Sequence, residues 1–408
     1  MPTMFDVRLG KPGSSPCSGG VSYSLLVGYD NRPVLSATGY ISAMTNLMAM
    51  KTASDLEIDG IDRQIVHCLQ LHPRAAFRLI GEVVGVSEQT AARRYRRLRE
   101  AGLLRVIGAP GADRIRTAYM VRVHCRPGNA SSVADALARR RDTSWVSLVA
   151  AGSEIVCSVR TMDDTGGDEL LLQKLPRTAE VLGISAHAVL HIFRGGKPDD
   201  WTGFGGLLSD EQRRRLLSGG PDLKPDLKPD LKKASRPDDL QMPFLDQTAR
   251  SDKASEVDET DRTLIAATSG DGRISVTELA RRCALTEGRT TRRLEAMVES
   301  GALRFEVDLA PAMLGYPISA YLWLTIEPAA LERAGESLRD HPEVAFAAAI
   351  TGGSNAMASV RCSDLDHLYR YVTNSIGGIE GVRNVETSLG LRQIKQEGSR
   401  VEGERLRW

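Results

Sequence analysis

A segment that returns almost intact later in the same chain limits the possible folds to those built from two like modules. The decapeptide EIDGIDRQIV at residue 57 comes back as EVDETDRTLI at 256, 199 residues further on. The register then runs without a gap: Ser87 meets Thr286, Glu88 meets Glu287, Arg93 and Arg94 meet Arg292 and Arg293, and Gly102 meets Gly301. A looser match, GSEIVCSVR at 152 with GSNAMASVR at 353, shifts the offset to 201. The repeated unit is therefore a whole module. Between the copies lies PDLKPDLKPDLKK, residues 221–233, in which proline removes backbone donors and Asp and Lys keep the segment solvated. Taken as a linker over 196–255, it spans about 40 Å as a flexible chain, so the modules are expected to move relative to each other. One short helix is expected inside it at SDEQRRRLL, where Ser209 and Gln212 have capping-box spacing.

Each module changes texture halfway. Its first fifty or so residues carry apolar positions at helical spacing: Ile61, Ile65, Val66 and Leu69 after the N-cap Asp59, then Leu79, Ile80, Val83 and Val84, then a third helix capped by Ser87 and ended by Gly102. This is a helix-turn-helix pattern. The remainder alternates like strands and helices in the order βαββαβ, from TAYMVRVHCR to SAHAVLHIFR in copy one and from ISAYLWLTIE to VRNVETSLGL in copy two. The expected class is α+β, a tandem duplication of a winged helix-turn-helix three-helix domain followed by a ferredoxin-like βαββαβ domain. Helices cover one sheet face, so the other face predicts that the modules pair through their sheets.

The third helix of copy one, SEQTAARRYRRLREAGLLR, concentrates charge in a chain that is otherwise balanced, with 53 Lys+Arg against 52 Asp+Glu. Ala91, Tyr95 and Leu98 form its packing face, which leaves Gln89, Thr90, Arg93, Arg94, Arg96 and Arg97 on exposed faces. An arginine face on the helix that such a motif inserts in the major groove points to double-stranded DNA. The arginines would take phosphates, and Gln89 and Thr90 would read base edges. Four to six neutralised phosphates per head give an expected salt slope of about −4 to −5. In copy two, Arg289, Arg292 and Arg293 are offset by Glu287, Glu295 and Glu299. Either this helix reads DNA with fewer contacts or it serves packing.

The order of a helix-turn-helix opening with IDGIDRQIVHCLQ, a short hinge and a βαββαβ domain resembles the Lrp/AsnC (feast/famine) family of transcriptional regulators. The resemblance covers about residues 55–195 and 256–396. It implies transcription control by an amino acid or related small metabolite, effector sites at interfaces between βαββαβ domains, an intramolecular pseudo-dimer and a further homo-oligomer. The family's effector loop falls on Gly152, Ser153 and Glu154 in copy one and on Gly352, Gly353, Ser354 and Asn355 in copy two. Backbone amides there suit a carboxylate and the polar side chains an ammonium. Ordinary hairpin turns are the competing reading. Siroheme decarboxylases resemble the same family as fused modules, which makes a tetrapyrrole enzyme the alternative function. Against it, SWVSLVAAGS and AFAAAITGGS hold no His or Arg. A sensing partner without DNA contact is the third reading.

Remaining features suggest no chemistry. The cysteines at 17, 68, 125, 157, 283 and 362 are scattered singly, which fits a reducing cytoplasm and neither a zinc site nor a disulfide framework. His187 and His191 are expected to share a strand face with apolar neighbours, as structural residues rather than metal ligands. Trp145 and Trp323 are expected in a core or interface, and RGGKPDDW lacks phosphate-loop spacing. No catalytic arrangement is found, so neither an enzyme nor a cofactor or metal is expected. The expected boundaries are a poorly ordered leader over 1–54, with later start codons at Met44, Met48 and Met50; helix-turn-helix domains at 55–112 and 256–308; βαββαβ domains at 113–195 and 309–396; and a tail over 397–408.

Overall fold

The computed structural model describes residues 58–111, 115–162, 169–195, 207–218 and 258–407; the leader and the PDLK repeats lie outside them. In the first head, helices Gly60–Leu71, Phe77–Val84 and Glu88–Glu100 start and stop where local chemistry dictates. Asp59 accepts the Asp62 N–H at 2.9 Å while the Asp62 carboxylate accepts the Asp59 N–H at 3.2 Å, a reciprocal capping box. Gly85, at φ 82°, turns the chain between the second and third helices, a conformation that a side chain would strain. Ser87 then caps the third helix through the Thr90 N–H. The second head repeats this with helices Glu259–Gly270, Val276–Cys283 and Glu287–Glu299, capped by Asp258, Ser275 and Thr286.

After each head comes a strand the sequence pattern left as a hinge. β1 (Leu104–Pro110) of copy one pairs antiparallel with β6 (Leu303–Leu309) of copy two, Val106 opposite Val307. The ligand-domain strands of copy one are β2 (Ile115–Cys125), β3 (Thr143–Val149), β4 (Glu154–Met162) and β5 (Val181–Arg194). Those of copy two are β7 (Ile318–Ile326), β8 (Val344–Ile350), β9 (Ala356–Cys362) and β10 (Val382–Gln393). Within each copy the order is ferredoxin-like, β3-β4-β2-β5 and β8-β9-β7-β10. The sheets join through β5–β8 and β10–β3 into a closed eight-stranded barrel without a free edge. Met120, Val156, Val189, Tyr321, Trp323 and Met357 fill the space between the two sheets. The expected pairing of modules through their sheets is therefore present, with helices Ala130–Ala138 and Leu331–Asp340 packed on the outer faces.

The expected freedom between modules is not. Besides the barrel and the β1–β6 pair, two arginines at the same place in the repeat clasp each other's turn. Arg74 bonds the carbonyls of Gly272 and Ile274, and Arg273 bonds those of Pro73 and Ala75 at 2.7 and 2.9 Å. Arg99 adds an ion pair to Asp271 at 2.9 Å. Whatever the linker does, the described parts of the copies are interlocked.

Two boundaries also move. Helix Asp210–Leu217, with the expected Ser209–Gln212 capping box, belongs to the first head: Leu208 and Leu216 enter its core and Gln212 donates to the Val83 carbonyl. The expected tail at 397–408 is instead ordered from 397 to 407. It forms a hairpin of β11 (Arg400–Glu402) and β12 (Arg405–Arg407), and Val401 and Leu406 are buried in the same first-head core.

Candidate nucleic-acid interface and effector loops

Ala91, Tyr95 and Leu98 of the third helix are buried as expected, which fixes the roll of the helix and turns Gln89, Arg93 and Arg96 to solvent. Arg93 has no side-chain partner among the described residues, and Arg96 only a local bond to the Ala92 carbonyl at 3.4 Å. Thr90 is half-buried, its hydroxyl 2.9 Å from that of Ser87.

Arg94 and Arg97 are not on a free face. Arg94 bonds Asp59 at 2.7 Å and Asp62 at 3.0 Å, and Arg97 bonds the other Asp62 oxygen. The Asp62 side chain is 0 % exposed, so these arginines neutralise a buried charge, Arg94 at 19 % exposure and Arg97 with 41 % of its side chain still open to solvent. The Asp59 carboxyl is held below the usual carboxylate range by the Asp62 backbone N–H and by Arg94. In copy two Arg293 is placed in the same way: it bonds Asp261 at 2.6 Å and Asp258 as well. Arg289 and Arg292 are exposed there, and among the described residues Arg292 reaches only the Gly288 carbonyl at 3.2 Å. Sequence reasoning missed the acidic partners because they lie some thirty residues upstream. The signal was available: both copies place Asp-x-x-Asp at the start of the first helix, in register with the arginines.

Each of the two loops expected to meet an effector sits at a seam between copies, closed by the other copy's last strand. Thr351, next to Gly352, exchanges bonds with Ala188 of β5 at 2.9 Å, and the His187 Nδ1 lies 2.7 Å from the Thr351 carbonyl. Gly352 has φ +115°, and a Cβ there would come within 2.5 Å of His187 Nδ1, so this close approach requires glycine. The Gly152 loop likewise faces Leu391 of β10.

Three of the expected polar ligands are already engaged. Glu154 is buried and bonded to Arg122, which also bonds Glu386 and lies 4.7 Å from the centre of the Trp323 ring. Burial pulls the Arg122 pKa down, but its bonds to Glu386 and Glu154 outweigh that and raise it. Asn355 brackets Ile326, accepting its N–H at 2.8 Å and donating to its carbonyl at 2.7 Å. Ser153 bonds the Ala150 carbonyl at 2.8 Å. Gly152, Gly352, Gly353 and Ser354 remain as loop backbone and one hydroxyl.

His187 and His191 do not share a face. A register shift between Val189 and His191 separates them: His187 lies tilted against the core residue Trp323, while His191 meets Phe193, which abuts Gly335 of the outer helix. Trp323 is a core residue; Trp145 is 40 % exposed with its indole bonded to Glu397 at 3.1 Å. The described cysteines are free thiols, and burial pushes Cys68 and Cys157 up to about 12, out of the range of a thiolate nucleophile.

Comparison with known proteins matches the AsnC-type helix-turn-helix domain to residues 58–99, a winged helix-turn-helix DNA-binding domain to 257–304 and the Lrp/AsnC ligand binding domain to 319–400. An uncharacterized HTH-type transcriptional regulator of Pyrococcus horikoshii is 32% identical over 144 residues, 35% of this chain and 90% of that protein. The proline dehydrogenase transcriptional activator of Rhizobium radiobacter is 29% identical over 154 residues, 37% of this chain and 99% of its own. Among solved structures, the siroheme decarboxylase NirDL covers 83% of this chain and 93% of its own at a TM-score of 0.52 and 12% identity, a likeness of fold alone.

Proposed function

We propose, from the premise that the chain belongs to the Lrp/AsnC family of helix-turn-helix regulators, that it controls transcription by binding double-stranded DNA chiefly through Gln89, Arg93 and Arg96 of its first head. The observation that carries this assignment of residues is the division of the arginines. Those facing inward are matched by Asp59 and Asp62, whereas Arg93 and Arg96 face solvent without an acid. Arg289 and Arg292 give the second head a weaker version of the same surface, offset by Glu287 and Glu295. The protein is a cytoplasmic regulator in this reading, a pseudo-dimer within one chain that assembles further with copies of itself. Its effector, an amino acid or related metabolite, meets the Gly152 and Gly352–Ser354 loops through backbone groups and the Ser354 hydroxyl, because Glu154 and Asn355 are committed within the protein.

With two rather than four or more free arginines on head one, the expected salt slope shrinks to about −2 for that head. A fluorescence-anisotropy titration of the intact protein on DNA from its own upstream region, over a range of salt concentrations, reads this directly. A slope near zero would remove DNA from the proposal.

A further inference from the structure

Two strands frame the copy-one loop: β3 runs straight into Ala150–Gly152, and β10 carries Leu391 past it. Both are tied to the chain that follows β10. The pairing of β3 with β4 shifts register between Ser144 and Ser147, and inside that irregularity Trp145 sits at φ +53°, a left-handed conformation that a bulky side chain rarely holds. The Trp145 N–H donates to the Gln396 carbonyl at 2.9 Å and its indole to Glu397 at 3.1 Å, while the amides of Ile394 and Lys395 donate to the Val146 carbonyl at 2.8 and 3.2 Å. The Lys395 ammonium is fixed on the carbonyls of Arg140 and Thr143, and Arg160 bonds both oxygens of Glu397.

From this anchorage the segment crosses the hinge and enters the first head. The Asp308 carboxylate of β6 accepts the amides of Glu397, Gly398 and Ser399 at 3.2, 3.1 and 2.7 Å. Gly398 passes so close to β1 that a Cβ there would fall 2.6 Å from Ile107 Cδ1. Beyond it Val401 and Leu406 are buried in the first-head core, and the Leu406 N–H donates at 2.7 Å to the carbonyl of Gly102, just past the end of the arginine-bearing helix Glu88–Glu100. The buried core of the second head holds no residue of this segment.

We propose that residues 395–406 are a strut that sets the pose of head one on the barrel, and that Trp145 and Glu397 are positioning residues through which the Gly152 loop acts on the DNA helix. A chain of bonds couples two sites only where one link has a second arrangement. Trp145 is that link: in the extended conformation open to any residue, its N–H and its indole leave Gln396 and Glu397 together. The consequence for DNA rests on the proposed function; the mechanical link rests on these contacts alone.

Hydrogen exchange of the full chain, read peptide by peptide by mass spectrometry, tests the link without DNA or effector. Trp145→Gly, which accepts the left-handed φ and deletes the indole, should raise exchange in residues 88–102 and 400–407 about tenfold and leave residues 287–301 within about twofold. Lys395→Met, whose lost side-chain bonds all go to copy one of the barrel, should do the same and decides the matter if Trp145→Gly does not fold. Faster exchange confined to β3 and β4, or equal acceleration in both heads, overturns the strut. DNA anisotropy on the same variants separates the two claims. Binding weakened about fivefold, beside altered exchange in head one, supports both. Altered exchange in head one when the wild type binds no DNA at low salt sinks the DNA reading and leaves the strut standing. Full DNA affinity in folded variants of a protein that binds overturns the positioning role.

Discussion

In the first head Asp62 is fully buried and receives both Arg94 and Arg97; in the second, Asp261 receives Arg293 alone, because Ala296 stands where Arg97 does. The first head also gathers Leu208 and Leu216 from the linker segment and Val401 and Leu406 from the C-terminal hairpin, whereas the second is built on a core of seven buried residues. With Leu309, Ala310 and Met313 of copy two also in the first core, the same scaffold is braced from four parts of the chain in one copy and from one in the other. Duplication supplied two heads, and later segments were recruited to only one of them. The head with the more basic outer face is therefore also the one packed against more of the chain. That is what a binding surface needs to keep the entropic cost of ordering low.

The largest expected effect breaks the brace itself. Arg94→Ala strands a buried carboxylate and should cost about 3 kcal/mol, the low end for a broken buried pair because Arg97 remains. Arg293→Ala acts on a more exposed pair and should cost about 1 kcal/mol. Denaturant unfolding of the two variants, followed by the fluorescence of the full chain, compares them; equal losses would erase the distinction between the heads.

Next in size is DNA affinity. If Arg93 and Arg96 each neutralise a phosphate, the double alanine variant should bind about 60-fold more weakly at 0.1 M salt, with the salt slope reduced by about 2. Arg289→Ala/Arg292→Ala, working beside Glu287 and Glu295, should cost about tenfold or less. A larger loss from the second pair would move the principal interface to the second head.

Much of this comparison was legible in the residues. The offset of 199, the N-caps Asp59 and Ser87, and the two strand textures gave the duplication, the heads and the βαββαβ order, because caps and periodicity are local signals. What could not be read depends on contacts between distant segments. The run KQEGSRVEGERLR has the composition of a solvated tail, yet its Gln396 bonds both backbone groups of Leu309 and its Gly398 and Ser399 amides bond Asp308. Likewise the arginine run was readable as charge, while its pairing needed the Asp-x-x-Asp of a different helix to be read in register with it. Each of Arg94 and Arg97 finds its acid on another helix, and helical periodicity alone places both on the outer side.

The smallest effect sharpens the comparison where the copies touch. Across the β1–β6 pair, Ile107 of copy one faces Glu306 of copy two, which occupies the equivalent position in the repeat. Glu306 and Glu397 both bond Arg304. Burial, partly offset by Arg304, and the neighbouring Glu397 charge push Glu306 up to about 7. Burial opposes ionisation of Glu397 too, but Arg160 and Arg304 prevail and bring it to about 2. The signs are opposite. Glu397 stabilises the fold above its unfolded value, and that contribution is lost as pH falls toward 2. Glu306 holds its proton longer folded than unfolded, so through this group stability declines as pH rises from about 4.5 to 7. Glu306→Gln should therefore raise stability at pH 8 by about 1 kcal/mol, discounted for its partial exposure, and leave it unchanged below about pH 4.5. Melting temperatures of variant and wild type across that range check the sign. A variant that loses stability at pH 8 would mean that Glu306 is ionised and held by Arg304, making the second copy's hinge strand as well satisfied as the first.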